Sequence, residues 1–313
     1  MTLGGTTLPL EKNGGVWGDT VTPAGVPRGR RPLGPGRRPA YPWQIMTSLR
    51  IVTWNINSVR LRLPLLADLV RDMAPDVICL QETKCPDEFF PHEGTEALGF
   101  PYRAIRGMKG YNGVAVLSRV PFTVRHDDPN WCGKGDCRHL GVDLDVPGGL
   151  ELHDFYVPAG GDIPDREVNP KFAHKLDFIA EATAWNRGRG PTRRSVLVGD
   201  LNIAPLEHDV WSHRQMMKIV SHTPVEVEAL TGWQQAGEWR DAIRHMLPEP
   251  QKVYTWWSYR AKDWAAADKG RRLDHVWVSD DLVGKLSGHQ IHKPARGWTQ
   301  ASDHVPVLVE LKL

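Results

Sequence analysis

Beyond Leu49 the chain is punctuated by short apolar runs of strand length, with few stretches of helical spacing between them, and this rhythm limits the folds open to it. Residues 49–56, 77–80, 114–117, 195–198 and 276–278 are compact enough for buried strands. Leu140, Val142, Leu144 and Val146 alternate with smaller or polar residues, and so do Val305, Val307, Val309 and Leu311, which is the period of a half-buried strand. Helical spacing shows at Leu63, Leu66, Val70 and Met73 and again at Phe172, Leu176, Ile179 and Thr183. A simple βαβ repeat would place a helix after every strand. The mixture here fits an α/β (α+β) chain of two packed, mainly antiparallel sheets with helices outside.

The N-terminal 45 residues are of a different kind. They hold nine Gly and seven Pro and no apolar periodicity, a composition that buries too little surface to offset chain entropy. The expectation is a disordered Gly/Pro/Arg-rich extension over 1–45, with Met46 as the candidate start of a single catalytic domain over 46–313. The alternative is a basic arm that adds salt-dependent affinity for DNA. The net charge of +2 sharpens that choice. Six basic and two acidic residues fall in the extension, so the remainder is slightly acidic. Any nucleic-acid surface on the domain must therefore be a local patch around an acidic centre. No run approaches ~18 consecutive apolar residues, so no membrane span is expected. No basic-then-apolar leader is visible, and a reduced, cytoplasmic setting is the simplest one. Of four cysteines, Cys79 reads as core, and Cys132 and Cys137 lack a second pair for zinc.

Five segments place polar residues directly at the ends of strand-like runs. They are Trp54-Asn55-Ile56-Asn57, Gln81-Glu82-Thr83-Lys84, Gly199-Asp200-Leu201-Asn202, Arg272-Leu273-Asp274-His275 and Ser302-Asp303-His304. Each alone has an ordinary reading. Asp and Asn bond their own backbone in turns, Glu82 could cap a helix, and an Asp-His pair often sits on the surface. Together, the Glu, Asp, Asn and His residues at these matching strand ends can converge on one edge of a sandwich. Carboxylate and amide oxygens of that kind suit Mg²⁺, which keeps waters and substrate phosphate oxygens around it.

These segments resemble the exonuclease III / apurinic-apyrimidinic (AP) endonuclease family of the endonuclease/exonuclease/phosphatase superfamily. The resemblance runs from about residue 49 to 311. It also takes in Gly110-Tyr111-Asn112-Gly113-Val114-Ala115, Tyr156-Val157-Pro158, Thr255-Trp256-Trp257-Ser258-Tyr259-Arg260 and Ser302-Asp303-His304-Val305-Pro306. It implies a four-layer, DNase I-like sandwich and a Mg²⁺-dependent DNA repair nuclease, with Mn²⁺ as a substitute metal. Such an enzyme cuts 5′ to abasic sites, removes nucleotides 3′→5′ from duplex DNA and cleans blocked 3′ ends. Its partner is double-stranded DNA with abasic sites or 3′ ends. It implies a monomer without a membrane, cytoplasmic and nucleoid-associated in a prokaryote.

Carried over residue by residue, the resemblance makes Glu82 the principal metal ligand with Asn57 nearby and Asp303 a further acidic residue beside it. Asp200 would orient or deprotonate the attacking water, held by Asn55. Asn202 and Tyr156 would contact the target phosphate, with Asp200, Asn202 and His304 also close to the metal. His304 would face the phosphate, oriented by Asp274. Trp256 would line a pocket for a base-less sugar, supported by Tyr259 and Arg260, and Arg138 would contact backbone phosphate. His275 and the stretch holding Cys132 and Cys137 depart from the family pattern. The competing readings are an inositol-polyphosphate or lipid phosphodiesterase of the same superfamily and a binding module that has lost catalysis. The Gln81-Glu82-Thr83-Lys84 segment and the Trp256 loop favour DNA, and the intact polar set argues for an enzyme.

Overall fold

A computed structural model describes residues 46–125 and 129–313; the N-terminal extension singled out above lies outside the described residues. In chain order the strands are β1 (Ser48–Asn55), β2 (Val77–Gln81), β3 (Tyr102–Met108), β4 (Tyr111–Ser118), β5 (Phe122–Val124), β6 (His139–Leu144), β7 (Leu150–Tyr156), β8 (Ser195–Asp200), β9 (Arg240–Asp241), β10 (Trp256–Trp257), β11 (Gly270–Arg271), β12 (Asp274–Val278), β13 (Leu286–Ile291) and β14 (Val307–Lys312). They form two six-stranded sheets, β13-β14-β1-β2-β4-β3 and β5-β6-β7-β8-β12-β9, and a small β10-β11 ribbon. Each large sheet has one parallel pair at its centre, β1 with β2 and β7 with β8, and is otherwise antiparallel.

The period of two in the sequence sorts side chains into layers. Ile51, Val77, Val116, Leu152, Val198, Val276 and Val309 meet in one core between the sheets. Their strand neighbours Val52, Ile78, Leu80 and Leu117 face the other way, against the helix Val59–Met73. On the second sheet Phe155, Leu197 and Trp277 face outward under the helices Pro170–Arg189 and Pro224–Ala236. The result is the expected four layers of helix, sheet, sheet and helix.

The helices begin and end where their residues dictate. Arg62 leaves helical geometry just before Pro64, whose ring cannot follow a full preceding turn. The buried face of that helix is Leu65, Leu66, Leu69 and Met73, so Leu63 and Val70, expected on the core face, sit at its edges. The second helix starts at Asn169, whose side chain accepts from the Lys171 N–H, with Pro170 in its first turn. The third opens with a capping box between Thr223 and Glu226.

The strand directions position the site. β1, β2 and β8 end at one edge of the sandwich, while β12 and β14, antiparallel to β8 and β1, begin there. Among the described residues no helix is long and apolar enough to cross a membrane.

Candidate active site

Asn55, the last residue of β1, is fully buried and bonds across both sheets. Its Nδ2 donates to Glu82 Oε1 and to Asp200 Oδ2, each at 2.9 Å. Its Oδ1 accepts from the Asn57 N–H at 3.1 Å. A strand-terminal amide thus sets the separation of two carboxylates from different sheets. Glu82 and Asp200 reach it from unusual backbone. Glu82 has φ 51°, Asn57 φ 49° and Asn202 φ 54°, left-handed values that are uncommon outside glycine and tend to gather at functional sites. Gly199, with φ 141°, precedes Asp200, and a Cβ there would lie 1.9 Å from the Phe155 carbonyl on β7. Only glycine lets β8 press so closely on β7 while turning Asp200 into the site.

Around Glu82 the neighbours are donors. Tyr156 OH donates to Oε1 at 2.8 Å, and Lys84 Nζ lies 2.7 Å from Oε2 and 2.7 Å from Asn57 Oδ1. Burial alone would raise the Glu82 pKa, but Lys84, Asn55 and Tyr156 outweigh it and hold the carboxyl below its ordinary value. Burial, with Glu82 and Asp200 close by, pushes the Tyr156 phenol well up, so it stays a donor. Asp303 accepts from Asn57 Nδ2 at 3.2 Å and from Trp256 Nε1 at 2.9 Å.

The second half of the site is a carboxylate–histidine–carboxylate chain. His304 Nδ1 lies 2.8 Å from Asp274 Oδ2, and its Nε2 lies 3.6 Å from Asp200 Oδ2. Asp200 also receives the Asn202 N–H at 3.0 Å and Asn202 Nδ2 at 3.1 Å. Burial pushes Asp200 up to about 7, with Asp274 and Glu82 adding to it against His304 and Asn55. Burial opposes the charged form of His304, yet Asp274 and Asp200 outweigh it and raise the ring to about 10. The pair is therefore set up as an imidazolium beside a carboxylate that can still take a proton near neutrality.

Asp200, Asp274 and His304 place ligand-type atoms within 4.8 Å of one another. That cluster is buried and already hydrogen-bonded, which suits proton handling better than an open hard-cation site. The oxygens of Glu82, Asn57 and Asp303 fit a metal better. They are hard donors, and the Lys84 ammonium, bonded to both Glu82 and Asn57, shows that a positive charge is accommodated between them.

The structure also separates residues that the sequence grouped. Arg138 is 1% exposed, so it is not a surface phosphate contact. Its Nε pairs with Asp136 at 2.7 Å, and its guanidinium lies 5.2 Å from the Tyr111 ring and 4.9 Å from the Tyr156 ring. It props Tyr156 from behind. His275 is buried on the outward side of β12, with Nε2 2.8 Å from the Ile203 carbonyl. Tyr259 is half exposed, and its hydroxyl donates to the Ala301 carbonyl at 2.8 Å while receiving Arg62 at 3.0 Å, so it braces the segment ahead of His304. Trp256 and Arg260 line a cleft of about 620 Å³ with Glu82, Asn202 and His304. All four cysteines are free thiols, and Cys79 is in the core as expected. Two supports escaped sequence reasoning. Ser302 Oγ donates to the Asn55 carbonyl at 2.7 Å and receives the His304 N–H at 3.2 Å. Lys175 is fully buried and donates to the Asn202 carbonyl at 2.8 Å. A lone lysine on the apolar face of a helix was the available signal.

Known proteins resemble this chain in sequence and in fold. Residues 52–304 match the model of the endonuclease/exonuclease/phosphatase family. The chain is 29% identical over 272 residues to exodeoxyribonuclease III of Haemophilus influenzae, covering 84% of this chain and 100% of that one. An AP endonuclease from Archaeoglobus fulgidus superposes with a TM-score of 0.76 at 26% identity, covering 85% of this chain and all of the other. A 3′ phosphatase from Neisseria, solved bound to a product DNA hairpin, superposes with a TM-score of 0.75 at 29% identity and the same coverage. By the extent of that match and the site it encloses, the chain belongs to the endonuclease/exonuclease/phosphatase family.

Proposed function

We propose that the protein is a Mg²⁺-dependent DNA repair nuclease that hydrolyses the phosphodiester 5′ to abasic sites and removes nucleotides or blocking groups from 3′ ends of duplex DNA. The observation that carries the reading is the single Asn55 amide bonded to both Glu82 and Asp200. It fixes a metal-type carboxylate and a base-type carboxylate at one separation, which phosphoryl hydrolysis requires. The similar proteins named above, an exodeoxyribonuclease III, an AP endonuclease and a 3′ phosphatase bound to DNA, support DNA as the substrate.

Asp200 accepts the proton of the attacking water through the carboxylate that Asn55 and Asn202 hold in place. His304, protonated and oriented by Asp274, faces the non-bridging phosphoryl oxygens and offsets their growing charge. Asn202 and Tyr156 would contact the same phosphate, exchanging their bonds to the Asp200 and Glu82 carboxylates for it. Glu82, Asn57 and Asp303 would hold the cation, which when bound neutralises phosphoryl and leaving-group charge. Trp256 walls the pocket beside the phosphate and, through its indole bond to Asp303, ties that wall to the metal residues.

The test is a duplex carrying one abasic-site analogue, incubated with the protein and either Mg²⁺ or a chelator. Incision 5′ to the analogue that depends on Mg²⁺ is expected. No incision, with phosphate release from an inositol-polyphosphate or phospholipid instead, would overturn the reading.

A further inference from the structure

The cleft beside the catalytic carboxylates is lined by Trp211, Trp256 and Arg271 as well as by Asn202 and His304. Arg271 sits on β11 directly across from Trp256 on β10. Its guanidinium lies 4.8 Å from the Trp256 ring centroid, and one terminal nitrogen donates to Ser221 Oγ at 3.0 Å and to the Val220 carbonyl at 3.2 Å. Its Nε is buried without a hydrogen-bond partner. Among the described residues no carboxylate pairs with it. The one that acts on it, Glu226, is already engaged by Lys175, Thr223 and the Ser221 N–H. The next residue makes the contrast plain, since Arg272 pairs with Asp209 at 2.8 Å and with Asp241 at 2.6 Å. A second cation, Lys269, stacks 4.6 Å from the Trp211 ring in the same cleft. A largely buried guanidinium without a counter-ion is costly to keep, and such groups recur where a ligand supplies the missing charge.

We propose that Arg271 determines specificity by charge, recognising a short anionic group attached to the scissile phosphate, such as the carboxylate of a fragment left at a damaged 3′ end. The inference rests on the nuclease reading above. Water's oxygen bonds to phosphorus and the bond to the 3′ oxygen breaks. The 3′ oxygen takes up a proton and leaves as the DNA hydroxyl. The released phosphate monoester carries the anionic group, which until then lies against Arg271. The flat guanidinium on an indole face, with no carboxylate of the described residues paired with it, suits a planar carboxylate better than a neutral sugar. Trp256 and Trp211 supply the apolar walls.

Two duplexes that differ only in that charge decide the matter, one ending in a 3′-phosphoglycolate and one in its neutral glycolamide counterpart. The readout is the ratio of kcat/KM for the two ends in each protein, so a general loss of activity does not enter it. For the wild type the ratio should favour the carboxylate by roughly tenfold or more, as charge-assisted hydrogen bonds do. Arg271→Met should bring the ratio close to one, and Arg271→Lys should retain part of it. A wild-type ratio near one, or an equal preference in Arg271→Met, would overturn the proposal. If Arg271→Met fails to fold, the wild-type ratio and Arg271→Lys still decide. A wild type inert toward abasic-site duplexes as well would count against the nuclease reading instead.

Discussion

Replacing Asp274 by Asn tests the proton arrangement with almost no change of shape. Asp274 is fully buried, its N–H is held by Thr255 Oγ1 at 3.1 Å, and its Oδ2 meets His304 Nδ1 at 2.8 Å. An Asn oxygen can keep that bond, so the ring orientation survives while the charge is lost. Asp274 is the foremost group raising His304 from 6.5 to about 10, with Asp200 and Asp303 behind it. Its loss should lower the imidazolium pKa by an amount on the order of 2 units, or about 3 kcal/mol. Its charge also raises Asp200, so that carboxyl falls below about 7 in the variant. The wild-type enzyme needs Asp200 ionised and His304 protonated, so its rate should climb through about pH 7 and fall through about pH 10. In Asp274→Asn both limbs move to lower pH. At pH 9 the variant should lose on the order of tenfold more activity than at pH 7, because most of its His304 is then neutral. Steady-state incision of an abasic-analogue duplex from pH 5.5 to 10 measures both limbs. An alkaline limb that stays put, or a loss equal at every pH, would refute the assignment of a charge-bearing role to the pair.

Other expectations follow from single contacts. Asp200→Asn removes the base while its amide oxygen can keep the bond from Asn55, so kcat should fall by roughly 10²–10⁴ while circular dichroism still reports the native fold. Glu82→Gln should raise the Mg²⁺ concentration needed for half-maximal incision, read by metal titration at fixed DNA; an unaltered requirement would move the metal away from Glu82. Asp209→Asn strips charge from a buried carboxylate that pairs with Arg272 and Arg244 and should cost about 3–5 kcal/mol of stability by urea unfolding.

The sequence showed the layers because β-strand alternation is local. Val307, Val309 and Leu311 announce one face of β14 without any knowledge of its partner. It also marked the strand ends whose polar residues the structure gathers at one edge, because Asn, Asp and Glu are out of place there. Pairing was not legible. That the last strand would lie against the first, with Ile51 opposite Val309, depends on contacts more than 250 residues apart. For the same reason the surroundings of Arg138, expected to contact backbone phosphate, were not legible. Its partner Asp136 is two residues away, but the Tyr111 and Tyr156 rings that enclose it come from other strands. Arg271 and Arg272 are adjacent and chemically identical in sequence, yet one is neutralised by aspartates and the other is not.

Three contacts of the site join one sheet to the other: Asn55 to Asp200, Tyr156 to Glu82, and His304 to Asp274. The catalytic distances are therefore readings of how the two sheets are stacked, as a vernier reads the offset of its scales. Truncating a core valine such as Val198 or Val309, remote from DNA, would let the sheets settle by a fraction of an ångström. Turnover would register that slip before circular dichroism did. On gradual warming such an enzyme should fall silent while its strands are still intact, with its activity acting as a strain gauge for its own interior.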